Sequence, residues 1–439
     1  MATGLERLAA KARENTNLRF TSLCHHVTPD LIREHLKKMP TNTAVGIDHE
    51  TKDQSKAKFD DWAPEMIAAV HREGYKAPAV RRVFIPKPGK SEKRPIGVPT
   101  VSDRALQGAV SEVLSAIYEQ DFLNCSYGGR PGRSAHQAIS KLHKTISGCK
   151  VSWVFECDLK NFFGSLDHGW VERFVAHRVG DPRITSLIRR WLKAGVIDRG
   201  DLEPSEVGTP QGGPISVLIS NLYLHYVLDL WIERVIKPHM RGEVHYVRYL
   251  DDFVLCFQYR SDALRFQEGL VKRLAKFSLT IESSKTRLVE FGRFAQRGAE
   301  RFGEKLSSIY FLGFTLYCSR NANGGFKLGV KTEKTRLRRS IAKLTKLMLA
   351  IRHQTLRAQA KAIDLNLAGH YRYYGVAGNS AAMEKVHRFV LQNWRRTLSS
   401  RSQRGRVNWK RYGKILDAFP IRKPKIYVTY SDIERMASL

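Results

Sequence analysis

"HYVRYLDDFVLCF", residues 245–257, sets two adjacent acids inside an apolar, aromatic-rich run. Tyr246, Val247, Tyr249, Leu250, Phe253, Val254, Leu255 and Phe257 mark a mostly buried extended segment. Neighbouring side chains on a strand point to opposite faces, so Asp251 and Asp252 cannot share one solvated face unless the chain turns there. The reading is therefore two short strands meeting at the acids. Unpaired carboxylates in such a place are costly, and a divalent cation is the leading compensation. Asp158 is the third acid of interest, ending the apolar strand "WVFECD". Three carboxylates at strand ends, converging within a few ångströms, suit two divalent ions that hold the attacking and leaving oxygens of a phosphoryl displacement. Mg2+ matches the hard oxygen donors, with Mn2+ as a substitute. Asp also favours turns, and the bland reading is a capped turn and a hairpin turn.

The composition agrees with a charged polymer as partner. The 439 residues hold 74 Lys and Arg against 42 Asp and Glu, a net charge of +32. Such a surface attracts phosphate backbones, which makes nucleic acid the first partner to consider. Lys331 to Leu439 carries 25 basic and 6 acidic residues, more than half of the excess in a quarter of the chain. That tail reads as a separate unit gripping RNA or DNA. No run approaches the roughly 18 apolar residues of a spanning helix and the N-terminus has no signal-peptide core, so no membrane is expected. The six cysteines form no CxxC pair; Cys157 and Cys256 sit in apolar runs as small core residues, and a reduced, cytoplasmic protein follows.

The remaining pattern is mixed α and β. The first eighty residues are helical, with Thr28-Pro29-Asp30 opening a helix through Lys38. Strands fall at Val80 to Ile85 and Arg94 to Val98, joined by a Pro/Gly/Lys loop. Ser102 or Asp103 caps the next helix, and "SYGGRPGRSAHQAI" is a loop entering another near Ala135. "GTPQGGPISVLISNLYLHYVLDLWI" is a Gly/Pro loop feeding a long apolar helix. "IYFLGFTLY" reads as one strand closing the α/β portion, Asn321 to Gly325 as a linker, and the chain from Lys331 as helical to its end, broken at "RSQRG" and "FPIRKPK".

Tyr249-Leu250-Asp251-Asp252 resembles the YxDD box of reverse transcriptases. "RRVFIPKPGKSEKRPIGVPTVSDRALQ", "YGGRPGRSAHQAI", "ECDLKNFFGSLDH", "GTPQGGPIS", "SNLYL", "ESSKT" and "FLGF" follow the order of the sequence blocks of group II intron reverse transcriptases. The segments "NLAGHYRYYGVAGN" and "NWRRTLSSRSQRGRVNWKRYGKIL" look like that family's thumb, or maturase, region. The resemblance covers about Thr41 to Tyr427 and implies an α+β right-hand polymerase fold of fingers, palm and thumb, with an antiparallel palm sheet and a basic helical thumb/maturase (X) domain. It divides the chain into an N-terminal extension (1–79), fingers (80–150), palm with part of the fingers (151–320), thumb/maturase (321–400) and a short basic C-terminal segment (401–439).

Carried over position by position, the resemblance implies that Asp158, Asp251 and Asp252 are catalytic and hold two Mg2+ with the Leu159 carbonyl. Lys87, Arg94, Phe163, Gln211 and Lys285 would bind the nucleotide, Phe163 as the gate against a 2′-hydroxyl and Lys285 as a general acid. Phe311, Leu312, Gly313 and Phe314 would form the primer grip. Tyr371, Tyr373, Tyr374, Arg395, Arg396 and Trp409 would contact RNA, combining stacking rings with cations. The expected activity is RNA-directed DNA polymerase, with an RNA template, a DNA or RNA primer and dNTPs, in a cytoplasm of bacterial or organellar origin. A splicing maturase that binds group II intron RNA, and a free-standing polymerase used by a bacterial host in repair or defence, stand beside it; a homodimer stays open. Leu250 departs from the Ala common in the family. No Cys-pair nuclease segment is present, so second-strand cleavage is not expected.

Overall fold

The computed structural model describes residues 4–86, 93–198, 201–203, 207–209, 212–295, 306–402 and 405–438. Its strands are β1 (Val80–Pro86), β2 (Lys93–Val98), β3 (Trp153–Cys157), β4 (Val196–Asp198), β5 (Asp201–Glu203), β6 (Val244–Tyr249), β7 (Asp252–Phe257), β8 (Arg287–Glu290), β9 (Ser308–Phe311), β10 (Phe314–Arg320) and β11 (Phe326–Thr332). They make three sheets, ordered β2-β1-β4-β5, β6-β7-β3-β8 and β11-β10-β9. The second is antiparallel throughout and carries the acids.

That sheet is covered on both faces, which explains its unbroken apolar sequence. Along β7, Phe253, Leu255 and Phe257 enter a core shared with the N-terminal helices and helix Val101–Tyr118, while Val254 and Cys256 enter one shared with β9, β10 and β11. The N-terminal helices therefore pack on the body rather than apart from it. A third core, around Trp394, Ile363, Val386 and Met348, lies wholly within the chain after β11.

Several expectations from the sequence hold at the level of single residues. Thr28 accepts a hydrogen bond from Leu31 N–H at the start of Pro29–Lys38. Ser134 and Gln137 form a reciprocal capping box at helix Ala135–Gly148. Cys157 and Cys256 are buried.

Others are corrected. Thr100, not Ser102 or Asp103, caps helix Val101–Tyr118. Asp103 is instead buried, accepting from Tyr75 Oη, Trp191 Nε1 and Gln107 Nε2 at 2.7, 2.8 and 2.8 Å. "IYFLGFTLY" is two strands, because Leu312 and Gly313 take positive φ of 50° and 77° and turn the chain between β9 and β10. The expected linker is the turn of the β10–β11 hairpin, closed by Asn321 Oδ1 accepting from Asn323 and Gly325 N–H. Strand β11 runs to Thr332, and the helices begin only at Lys334. Finally, the helical run Pro214–His239 does have the length and hydropathy of a membrane span, but most of it is buried inside the fold. Two π-helical turns interrupt it, His225–Asp229 and Ile232–Ile236.

Candidate active site

The register of β6 on β7 ends with Tyr249 opposite Asp252, leaving Leu250 and Asp251 as a two-residue turn. Leu250 has φ +55°, uncommon for a residue with a β-carbon and a sign of backbone strain held by its surroundings. The holding group is Arg248. Its Nη1 donates to the Leu250 carbonyl at 3.1 Å and to Asn221 Oδ1 at 3.0 Å, while Nε donates to Asp229 Oδ1 at 2.8 Å. Arg248 and Asp229 are both fully buried, and Tyr246 Oη adds a hydrogen bond to the same carboxylate at 3.0 Å. The π-helical turn at His225–Asp229 carries Asp229 into this contact.

The "YGGRPG" loop docks on the same hairpin. Arg248 N–H donates to the Cys125 carbonyl at 2.8 Å, and the Arg248 carbonyl accepts from Tyr127 N–H at 2.9 Å. A β-carbon at Gly128 would lie 2.5 Å from the Leu250 backbone nitrogen, so only glycine fits there. Asn221, from "SNLYL", donates to the Gly128 carbonyl at 2.8 Å. Three blocks far apart in sequence thus hold one turn. Arg248, Asn221, Asp229 and Gly128 were all missed as site residues in the sequence; the available signal was an arginine inside an apolar strand.

Asp158 follows β3, and the pairing of Cys157 with Phe253 makes Asp158 and Asp252 the next rung at the same sheet edge. Its carbonyl accepts from Glu282 N–H at 2.8 Å, and its carboxylate is paired with Lys285 Nζ. Burial raises the pKa of Asp251; its own backbone hydrogen bond opposes the shift, Asp158 adds to it, and Arg94 and Lys285 oppose it. Asp252 is pushed up to about 7 by burial, then by the charges of Asp251 and Asp158, against Lys285 and Arg336. Asp252 is nonetheless exposed to solvent. The three acids share one edge and one another's field, but their oxygens are not drawn into a tight cluster. Among the described residues, the only three ligand-type side chains with donor atoms all within 4.8 Å of one another are Cys149, Glu243 and His245, at the opposite end of the sheet. The donor set at the edge is three carboxylates, with the Asp158 charge raising the pKa of Asp251 and of Asp252; it fits a hard divalent cation, which would relieve that repulsion.

Around the acids, Arg94 is exposed on β2 and its charge reaches Asp251. Lys87 and Gln211 lie outside the described residues. Beside Gln211, Gly212 has φ +139°, and a β-carbon on it would stand 2.4 Å from the Gly97 carbonyl, so the Gly-rich turn lies directly against β2. Thr209 N–H donates to the Phe163 carbonyl at 2.8 Å, tying that turn to the short helix Phe162–Ser165. Phe162 is buried and Phe163 half-buried. The Leu159 side chain is buried, and its backbone bridges to Ile281.

In "FLGF", Phe311 and Phe314 belong to the core, and the Leu312-Gly313 turn is presented between them. Tyr373 Oη donates to the Leu312 carbonyl at 2.9 Å and its ring stacks on Phe314 at 5.7 Å; Tyr374 packs on Phe314 at 5.3 Å. Tyr373 and Tyr374 therefore hold this turn. Tyr371 does not fit the expected RNA contact: it is fully buried on the inner side of helix Leu356–Tyr374. Arg395 lies over the Trp409 ring at 4.2 Å and donates to the Val407 carbonyl, while Trp409 and Arg396 are exposed.

A family model described as "Reverse transcriptase (RNA-dependent DNA polymerase)" matches residues 85–316, slightly more than half of the chain. The chain is 31% identical over 231 residues to "Group II intron-encoded protein LtrA" of Lactococcus lactis subsp. cremoris, covering 52% of this chain and 38% of LtrA. It is 27% identical over 382 residues to "Protein YkfC" of Escherichia coli (strain K12), covering 79% of this chain and 96% of that one. With the "Uncharacterized 91 kDa protein in cob intron" of Schizosaccharomyces pombe it shares 33% identity over 200 residues, 46% of this chain and 24% of the relative. The chain thus spans well under half the length of two of these proteins and nearly all of the third.

Proposed function

The chain belongs to the reverse transcriptase (RNA-dependent DNA polymerase) family, with relatives among group II intron-encoded proteins, and on that premise we propose that it copies RNA into DNA. The observation that carries the reading is the shared edge of β3, β6 and β7, where Asp158, Asp251 and Asp252 press on one another electrostatically. In this reading the body is a right hand: residues 80–150 serve as fingers, 151–320 as palm, and the helices after β11 as a thumb.

Asp158, Asp251 and Asp252, with the Leu159 carbonyl, would hold two Mg2+. The ions supply activation of the primer hydroxyl and neutralisation of the charge developing on the phosphate. Arg94, with Lys87, positions the triphosphate, and Gln211 meets the nucleotide from the Gly-rich turn. Phe163 stands against the sugar. Partial burial lowers the pKa of Lys285, but its hydrogen bond to Asp158 and the charges of Asp158, Glu282 and Asp252 together raise it, so the ammonium can give a proton to departing pyrophosphate. The "FLGF" turn, propped by Tyr373, supports the primer end. Arg396 and Trp409 offer a cation and a ring to RNA.

Primer extension on an RNA template with Mg2+ tests this. The full chain should extend, and Asp252→Asn should lower the rate about 1,000-fold or more. Extension surviving in that variant would end the assignment. A second reading, binding of intron RNA as a splicing maturase, is favoured by the basic tail; RNA affinity should then persist in Asp252→Asn.

A further inference from the structure

At the far end of the acid-bearing sheet, Cys149, Glu243 and His245 bring a sulfur, a carboxylate oxygen and an imidazole nitrogen within 4.8 Å of one another. We propose that these three side chains form a Zn2+ site that staples the start of β6 to the junction between helix Ala135–Gly148 and β3. This site is distinct from the carboxylate edge and from any role in nucleotide chemistry.

The ligand chemistry selects the metal class. Thiolate and imidazole donors suit Zn2+ and not Mg2+, and three protein ligands with one open position is a common zinc arrangement. Tetrahedral bonds of the usual zinc lengths separate neighbouring donor atoms by about 3.3 to 3.6 Å. Glu243 Oε2 and His245 Nε2 are already 3.4 Å apart, one edge of such a tetrahedron. All three residues are partly buried, and a bound Zn2+ would take water as its fourth ligand.

Local structure sets each donor. Cys149 ends helix Ala135–Gly148, its N–H donating to the Thr145 carbonyl at 2.9 Å. The next N–H, of Lys150, donates to Glu243 Oε2 at 3.1 Å and orients the carboxylate. Glu243 and Gln258 exchange hydrogen bonds across the open end of the β6–β7 hairpin, at 3.0 and 3.2 Å. His245 pairs with Cys256 in the β6–β7 register. Ordinary hydrogen bonding accounts for the Glu243 and His245 contacts but gives no reason for a sulfur beside them. A thiolate and a carboxylate would bring two negative charges to this place, which Zn2+ cancels.

The consequence is mechanical. Strand β7 lies between β6 and β3, and the metal would tie its two neighbours across its end. Both tied strands run, over about 20 Å, to the edge where Asp158 and Asp251 sit. The test uses the full chain with excess Mg2+ and titrates Co2+, which reports a thiolate ligand by a charge-transfer band, followed by Zn2+ as competitor. We expect one such band per chain, displaced by Zn2+, and absent in Cys149→Ser. Zn2+ should raise the melting temperature of the parent and not of Cys149→Ser. His245→Gln, a second variant in case Cys149→Ser fails to fold, should weaken Co2+ binding on the order of 100-fold or more. Metal-free melting temperatures equal to the parent's would show that the variants fold. No thiolate band in the folded parent, a band that persists in Cys149→Ser, or full affinity in His245→Gln would each overturn the proposal.

Discussion

The β6–β7 turn and the helices after β11 carry charge in opposite ways. Around the turn, Arg248 and Asp229 are wholly buried and matched atom for atom. In the helices, most of the cations point outward, and Arg396 and Trp409 are exposed. A buried charge without its partner is heavily penalised, so it can fix a backbone in a strained shape. An exposed charge fixes nothing, but it remains free to meet a phosphate. Chemistry at a point needs the first kind, and holding a long polymer needs the second.

Arg248→Met tests the first half most severely. It strands Asp229 and should lower the unfolding free energy by about 3 to 5 kcal/mol in urea titration. Adding Asp229→Leu should restore much of that stability while DNA synthesis stays low, because nothing then holds the Leu250 carbonyl. Recovery of both together would show that Arg248 matters only for folding. Gly128→Ala is milder in stability but drives a methyl group into the Leu250 nitrogen, and should cut the extension rate about tenfold or more with little change in RNA affinity. For the helices, Arg396→Gln should weaken template binding a few-fold and reduce the slope of log affinity against log salt by about 0.7 to 0.9. Equal slopes would remove Arg396 from the contact surface. Tyr371→Phe should be the smallest change. Its hydroxyl is buried without a hydrogen-bond partner among the described residues, so the variant should be unchanged or more stable by about 1 kcal/mol, with RNA affinity intact.

The sequence made the acids legible because two adjacent aspartates contradict a buried strand. It made the cap at Thr28 and the helix start near Ala135 legible because their chemistry is local. The grip on the turn was not legible, since Arg248, Asn221, Asp229 and Gly128 come together only through tertiary packing. The same limit misassigned Tyr371: a YRYY run shows which rings are present but not which face of the helix is inside. "FLGF" was read as continuous strand because Leu312 carries no local sign of a positive φ, which the preceding and following strands impose. At Asn321 to Gly325, polar and Gly-rich composition described a turn as well as a linker, and only the register of β10 on β11 separates the two.

That hairpin bears on how the molecule can be taken apart. Asn379 Oδ1 accepts from Thr332 N–H at 2.8 Å, and Asn379 Nδ2 donates to the Tyr374 carbonyl at 2.8 Å, so β11 is stitched to the junction between helices Leu356–Tyr374 and Ser380–Ser399. Cleavage between 321 and 325 would not release two independent pieces: one fragment would keep β10 with an unpaired edge, and the other would carry β11 away as a lone strand. The halves should melt in a single cooperative step and, once severed, reassociate or aggregate.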